Sequence, residues 1–423
     1  MNEYKFDGHF VFLYNGGSET DSILNKLNKY KVVTMNIDQN ISVYKEDIKK
    51  HRRNLHKIPE AGFEESKTSE YVYQTLKDMG MTVEKYVAKT GVVGFIQVDE
   101  DLPSIAFRSD MDALSMTEET GLEFQSEHEG FMHGCGHDGH MATLLIFARF
   151  INTVKENLKV NVLFIFQPAE EGPGGAEVML KEGLFEKYNV KEVYGLHLYP
   201  EVEEGRIAVR PGPLMAQTGE FDIDVIGKSG HGALPHKGLD AIIIAADLLQ
   251  RFQTIISREI CPIDPAVLTV GRMEGGERRN IIAENVRLEG TVRAFDEDIF
   301  QSIFDSMERH IKATEIAYGC AITYDFRTMY PPVYNDETLT QSFMEANQDV
   351  VDLIEPQMIA EDFSYFQKAA PGVFFFVGTH STEKGFTFPL HNAKFNFDET
   401  TLLNGVQAYK NILVHRGYLK GVE

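Results

Sequence analysis

Cysteine is scarce in this chain, with 3 among 423 residues: Cys135, Cys261 and Cys320. A sparse, odd set excludes a disulfide framework and fits a reducing compartment. Long apolar runs are missing too. None approaches the ~20 residues needed to span a bilayer, and the short apolar patch Phe10 to Tyr14 has no cationic stretch ahead of it, so it does not read as a secretory signal. Positive charge is the third shortage. Against 64 acidic residues stand 41 basic ones, a net charge of −23. Such a chain is repelled by phosphate backbones and anionic lipid, which argues against nucleic acid and membrane as partners. Solubility in a cytosol explains the acidity, and a cytoplasmic location is expected. No Gly-x-Ser-x-Gly elbow or dinucleotide fingerprint occurs. Gly227-Lys228-Ser229 imitates the end of a phosphate loop, but Asp222 stands where that loop's first glycine belongs.

What is present describes an ordinary globular chain, 43% hydrophobic and 25% charged. At ~150 residues per domain the length suggests two or three domains. Residues 1–40 are polar and rich in Asn, Lys and Tyr, and are set apart as a leader; Met35 is an alternative start that would leave residues 1–34 outside the working protein. Helical patterns follow at Tyr44–His56 and Ser66–Met79, then a strand pair at Met81–Val87 and Gly91–Val98. Short, largely apolar strands come next: Ser104–Phe107, Val160–Phe166, Val193–Leu196 and Val373–Val377. Such runs mark central strands covered on both faces, with sites expected beyond their carboxyl ends. Between 214 and 328 the texture changes. Phe221–Val225 and Val286–Val292 alternate as strands with one wet face do, around long helical patterns at Leu239–Ser257 and Glu297–Tyr318. With strands at Ala266–Val270 and Ala321–Phe326, the order is βαββαβ, a ferredoxin-like unit that can fold alone. The expected fold is therefore α/β: a mostly parallel-sheet domain over 41–213 and 329–423, interrupted by an inserted domain over 214–328. The exposed edges of the inserted sheet invite pairing with a second subunit.

The densest chemistry lies in His133-Gly-Cys-Gly-His-Asp-Gly-His140, just ahead of an apolar helical run. Cys135, His137 and His140 can all bind metal, and the glycines let the backbone converge them. A cysteine nucleophile beside a histidine base is the alternative, although a thiolate among imidazoles and carboxylates better suits a soft-to-borderline metal. Glu170-Glu171 follows a buried strand, where two adjacent carboxylates are costly without a nearby positive charge. A cation held by one, with the other as general base, explains the pair; a solvated turn is the bland alternative. Asp110 and Asp112 follow another strand and can ligate, orient a ligand or cap a helix. His197 and His391 each end an apolar stretch and are ordinarily structural in that setting.

Together with Leu55-His-x-x-Pro-Glu60, Arg108-Ser-Asp-Met-Asp-Ala-Leu114, Gln167-Pro-Ala-Glu-Glu-Gly172, Ser229-Gly-His231 and Leu390-His-Asn392, the octet resembles the dinuclear metallo-amidohydrolase and metallopeptidase family of aminoacylases and carboxypeptidase G. The closer resemblance is to its branch of hippurate hydrolases, indole-acetyl-amino acid hydrolases and N-acetyl-diaminopimelate deacetylases. The motifs run in order from about 45 to 415. The resemblance implies a catalytic domain holding two divalent ions (manganese, zinc, cobalt or nickel) and a lid that makes a homodimer. It implies Cys135, His137, Glu171, His197 and His391 as ligands, Glu170 as general base and Asp112 as a residue orienting a ligand. His231 would reach the partner's site, and Asn280 and Arg293 would hold the substrate carboxylate. The implied activity is hydrolysis of N-acetyl, N-benzoyl or indole-acetyl amino acids. Dipeptide hydrolysis and a non-catalytic metal-stabilised binding role are the alternatives.

Overall fold

A buried face at helical spacing seats the first long helix. In α1 (Lys45–His56) the buried residues are Ile48, Arg52, Leu55 and His56, which share one face at i, i+4, i+7 and i+8. Helix α2 (Ser66–Asp78) buries Thr68, Ser69, Val72 and Leu76 in the same manner. The computed structural model describes residues 33–422 and the backbone of a short hairpin, Asn2–Phe6 with His9–Leu13. The stretch set apart as a leader lies largely outside the described residues. Met35 is buried, and its N–H donates to the Gly205 carbonyl at 3.1 Å.

Strands β1 (Thr82–Val87) and β2 (Gly91–Ile96) form an antiparallel hairpin. Every residue of β3 (Ser104–Asp110) and β4 (Asn161–Gln167) is buried, the apolar runs Ile105–Phe107 and Val162–Phe166 together with the polar residues at their ends. Between them lies α3 (His137–Thr153), apolar nearly all round and buried along its length. Strand β5 (Val190–Glu203) runs well past the predicted Leu196, because its ladder with the last strand continues through the pair Phe376↔His197. His197 therefore sits within a strand rather than beyond its end. A short β6 (Ile207–Val209) follows.

The inserted region then builds its own sheet. Strands β7 (Gln217–Ile226), β8 (Ala266–Gly275), β9 (Asn285–Ala294) and β10 (Ala321–Thr328) pair antiparallel in the order β8-β9-β7-β10. Helices α4 (Ala241–Thr254) and α5 (Glu297–Tyr318) share an apolar core with this sheet. This is the expected ferredoxin-like βαββαβ unit. The chain returns to the first sheet with β11 (Val351–Leu353) and β12 (Gly372–His380), and ends on α6 (Leu402–His415). The eight strands lie in the order β11-β6-β12-β5-β3-β4-β2-β1, with β12, β5, β3 and β4 mutually parallel at the centre. Because those four point the same way, the carboxyl ends of β3 and β4, at Asp110 and Gln167, fall on one edge of the sheet.

Candidate metal centre

Gly136 takes φ +91° immediately before α3, a conformation glycine enters without steric cost. The turn leaves Cys135 just outside the helix and His137 on its first residue. Cys135 Sγ lies 3.3 Å from Nε2 of His197 and 3.3 Å from Nε2 of His391. The ligand-capable atoms of Cys135, His137 and His197 all fall within 4.8 Å of one another, and so do those of Cys135, Glu171 and His391. The five residues drawn from four separate segments thus form two triads that share the thiol.

The hydrogen bonds around these side chains fit a cation. Nδ1 of His137 faces the Asp112 carbonyl at 2.9 Å, and Nδ1 of His197 faces the Leu198 carbonyl at 2.7 Å. A carbonyl only accepts, so each ring carries a proton on Nδ1 and turns Nε2 toward the cluster, the arrangement seen where imidazole binds metal. Nε2 of His137 and Oε1 of Glu171 are buried without a conventional hydrogen-bond partner. Burial opposes charge on His137, yet the carboxylates of Asp110, Asp112 and Glu171 hold it up at about 10. A site with that surplus of negative charge is suited to cations. Burial, followed by the carboxylates of Glu171, Glu170 and Asp110, pushes the Cys135 thiol well above its ordinary value. That is the opposite of an activated cysteine nucleophile, whereas a bound cation takes a cysteine as thiolate.

Within the octet, His140 and Asp138 are occupied otherwise. Nδ1–H of His140 donates to Asp110 Oδ1 at 2.7 Å while its Nε2 accepts from the Leu198 N–H at 2.9 Å. Both ring nitrogens are therefore used. Asp138 is fully buried and held by Arg52 at 3.0 Å and His56 at 2.7 Å. Burial pushes His133 down to about 3, so it is neutral. Asp110 and Asp112 serve different neighbours, because β3 ends at Asp110.

Asp112 grips the turn that carries the paired glutamates. Its Oδ1 accepts from the N–H of Glu170 and its Oδ2 from the N–H of Glu171, each at 3.0 Å. One residue earlier, Ala169 adopts φ +56°, and its N–H donates to Oε1 of fully buried Glu65 at 2.9 Å. Burial, then the carboxylates of Glu361, Glu171 and Asp362, push Glu170 well above its usual range, so this carboxyl takes up a proton readily. Beneath the turn, Arg108 is fully buried and donates to Gln167, Asp110, Glu361 and Asp362 at 2.7–3.0 Å. Asp362 in turn accepts from the N–H of Ala176 at 3.0 Å. Glu65, Arg108, Glu361 and Asp362 had no assigned role in the sequence. The adjacent acids at 361–362 before an aromatic helix, like those at 170–171, were the available signal.

His231, Asn280 and Arg293 lie in the inserted domain, and no hydrogen bond or ion pair joins them to this cluster among the described residues. His231 pairs with Ile281, and the Gly232 N–H donates to the Asn280 carbonyl at 2.9 Å, so His231 and Asn280 share one exposed patch. The Ala233 N–H donates to Nδ1 of His231 at 3.0 Å, which leaves the proton of the neutral ring on Nε2. Arg293 is half-buried on β9.

A thiol shared by two triads with imidazoles and carboxylates, beside the carboxyl edge of a parallel sheet, is the donor set of a metal-dependent hydrolase. The sequence profile of peptidase family M20/M25/M40 matches residues 106–415. Belonging to that family, the chain is a metal-dependent hydrolase of amide bonds. It is 40% identical to the N-acetyldiaminopimelate deacetylase of Priestia megaterium over 375 residues, covering 87% of this chain and 98% of that protein. With the N-acetyldiaminopimelate deacetylase of Bacillus subtilis it shares 42% over 365 residues, covering 84% and 94%. Among solved structures, a putative aminohydrolase from methicillin-resistant Staphylococcus aureus superposes with a TM-score of 0.85 at 34% identity, covering 90% of this chain and 98% of that one. The Bacillus subtilis YXEP protein, a dinuclear metal-binding peptidase of the M20 family, superposes at 0.77 with 32% identity, covering 88% and 98%.

Proposed function

We propose that the chain releases the acyl group from N-acyl amino acids, with N-acetyl-diaminopimelate as the first substrate to test and N-benzoyl and indole-acetyl conjugates as the next. The observation that carries this reading is the pair of triads sharing Cys135, with Glu170 beside them. Cys135, His137, Glu171, His197 and His391 would hold two divalent cations; this donor set suits manganese, zinc, cobalt or nickel better than magnesium or calcium. When bound, such ions act as Lewis acids and lower the pKa of water toward neutrality. Glu170 accepts the proton of the attacking water and returns it to the leaving amine. Asp112 orients His137 and the glutamate turn.

Residues 41–213 and 329–423 are the catalytic domain, and 214–328 are a lid through which the cytoplasmic protein forms a homodimer. His231 of one subunit donates from Nε2 to the developing oxyanion in the other. Asn280 and Arg293 bind the substrate carboxylate; Arg293 has no ion-pair partner among the described residues. The test is Glu170→Ala assayed on N-acetyl, N-benzoyl and indole-acetyl amino acids and on dipeptides, with manganese supplied. The variant should retain its metal and lose most hydrolysis. Full activity would remove Glu170 from the base role, and dipeptides as the only wild-type substrates would make the enzyme an exopeptidase.

A further inference from the structure

The chain passes between its two sheets twice, and the two crossings are tied together. The Met329 N–H donates to the Thr218 carbonyl at 2.9 Å, and the Thr218 N–H donates to the Tyr330 carbonyl at 3.2 Å. Thr218 lies at the start of β7, and Tyr330 comes two residues after β10. Any rotation of the inserted domain against the first sheet passes through this pair. The Tyr330 side chain does not stay in the hinge. Its hydroxyl donates to the carbonyl of Glu170 at 2.8 Å, and its ring lies against Gly174, where an added Cβ would come within 3.1 Å of Tyr330 Cε1. The phenol is buried, and burial together with the carboxylates of Asp362, Glu170 and Glu361 raises it above its ordinary value, so it remains a donor.

The peptide between Glu170 and Glu171 is thereby held at both ends. Its carbonyl accepts from the hinge hydroxyl, and its N–H donates to Asp112 Oδ2 at 3.0 Å. The two glutamate side chains leave from the Cα atoms at either end of that plane, so tilting it swings both carboxylates. We infer that Tyr330 is a positioning residue that couples the hinge of the inserted domain to the Glu170–Glu171 peptide, so that movement of that domain adjusts the carboxyl of Glu170. This rests on the reading of Glu170 as the general base.

The experiment compares Tyr330→Phe with wild type as manganese-loaded enzymes, using N-acetyl-diaminopimelate or whichever of the substrates above is turned over fastest. Because a displacement of about 1 Å costs on the order of 100-fold in rate, loss of one of two anchors should lower kcat about tenfold. KM should stay within about twofold and metal content should be unchanged. Amide hydrogen exchange should quicken over residues 169–176 but not in the inserted sheet. Tyr365→Phe is the control: its hydroxyl faces the Met329 carbonyl of the same hinge at 3.4 Å, and its loss should leave kcat as in wild type. Unchanged kcat in Tyr330→Phe, a change confined to KM, or unaltered exchange over 169–176 would each overturn the proposal. Should that variant fail to fold, 3,5-difluorotyrosine at 330 keeps the ring with a more acidic hydroxyl. A fall in kcat at high pH that wild type lacks then supports the coupling, and an unaltered profile refutes it. Glu170→Ala in the same series separates the two ideas. If it is active the base reading fails, while exchange in Tyr330→Phe still reports whether the hinge holds the turn.

Discussion

Replacing Asp112 with alanine removes the acceptors of two consecutive backbone N–H groups, those of Glu170 and Glu171, each at 3.0 Å. Nothing else bonds those amides among the described residues, and the site is closely packed, with Glu170 only 6% exposed. A buried donor left without a partner costs about 1–3 kcal/mol, so the two together should cost about 2–6 kcal/mol. The turn also loses the register that aims Glu170. With misplacement of about 1 Å worth on the order of 100-fold, kcat should fall by roughly that factor. Asp112→Asn retains one acceptor and points an amide donor at the second N–H, so it should lie between wild type and Asp112→Ala in both measures. Urea unfolding at pH 7 and steady-state kinetics on the same preparations give the two numbers. Stability within about 0.5 kcal/mol of wild type, the range of ordinary surface substitutions, with kcat within about threefold, would refute the role assigned to this carboxylate.

Glu65 offers a pH signature. Burial raises it from 4.5 to about 7, so its contribution to stability is fully present below pH 4.5 and is lost as pH rises through about 7, a decline of roughly 3 kcal/mol. Glu65→Gln keeps an acceptor for the Ala169 N–H and carries no charge; its stability relative to wild type should rise between those pH values in urea titrations, and a constant difference would contradict the assignment. His231→Ala and Glu170→Ala are each expected to be inactive, and mixing them should restore part of the activity through hybrid dimers. No recovery, with subunit exchange demonstrated, would place His231 outside the shared site.

Much of this site was legible because its chemistry is dense in sequence. The octet puts Cys135 and His137 around a glycine that must turn, and the unbroken apolar runs before Asp110 and Gln167 identify central strands whose ends share an edge. The inserted domain showed itself through alternation in Phe221–Val225, against the solid runs of the first sheet, and α5 falls on the expected Glu297–Tyr318. His197 was placed beyond a strand because its apolar run is interrupted there, whereas pairing with β12 carries the strand onward. What stayed hidden consists of single contacts across long separations. Glu65 reaches Ala169, Arg108 reaches Glu361 and Asp362, and Tyr330 reaches Glu170. None has a local pattern, since nothing within the neighbouring residues of Glu65 or Tyr330 distinguishes them from a helix-start acid or a linker aromatic. The left-handed backbone of Ala169 is likewise imposed by its partners and not by its residue type.

The reading of a two-cation amidohydrolase is tested most directly by measuring bound metal and hydrolysis of N-acetyl-diaminopimelate and the other N-acyl amino acids on one preparation during chelation and manganese titration. Turnover should vanish as metal is removed and return as the titration approaches two ions per chain. Hydrolysis that persists in fully stripped protein, or none across the panel with both ions bound, would contradict it.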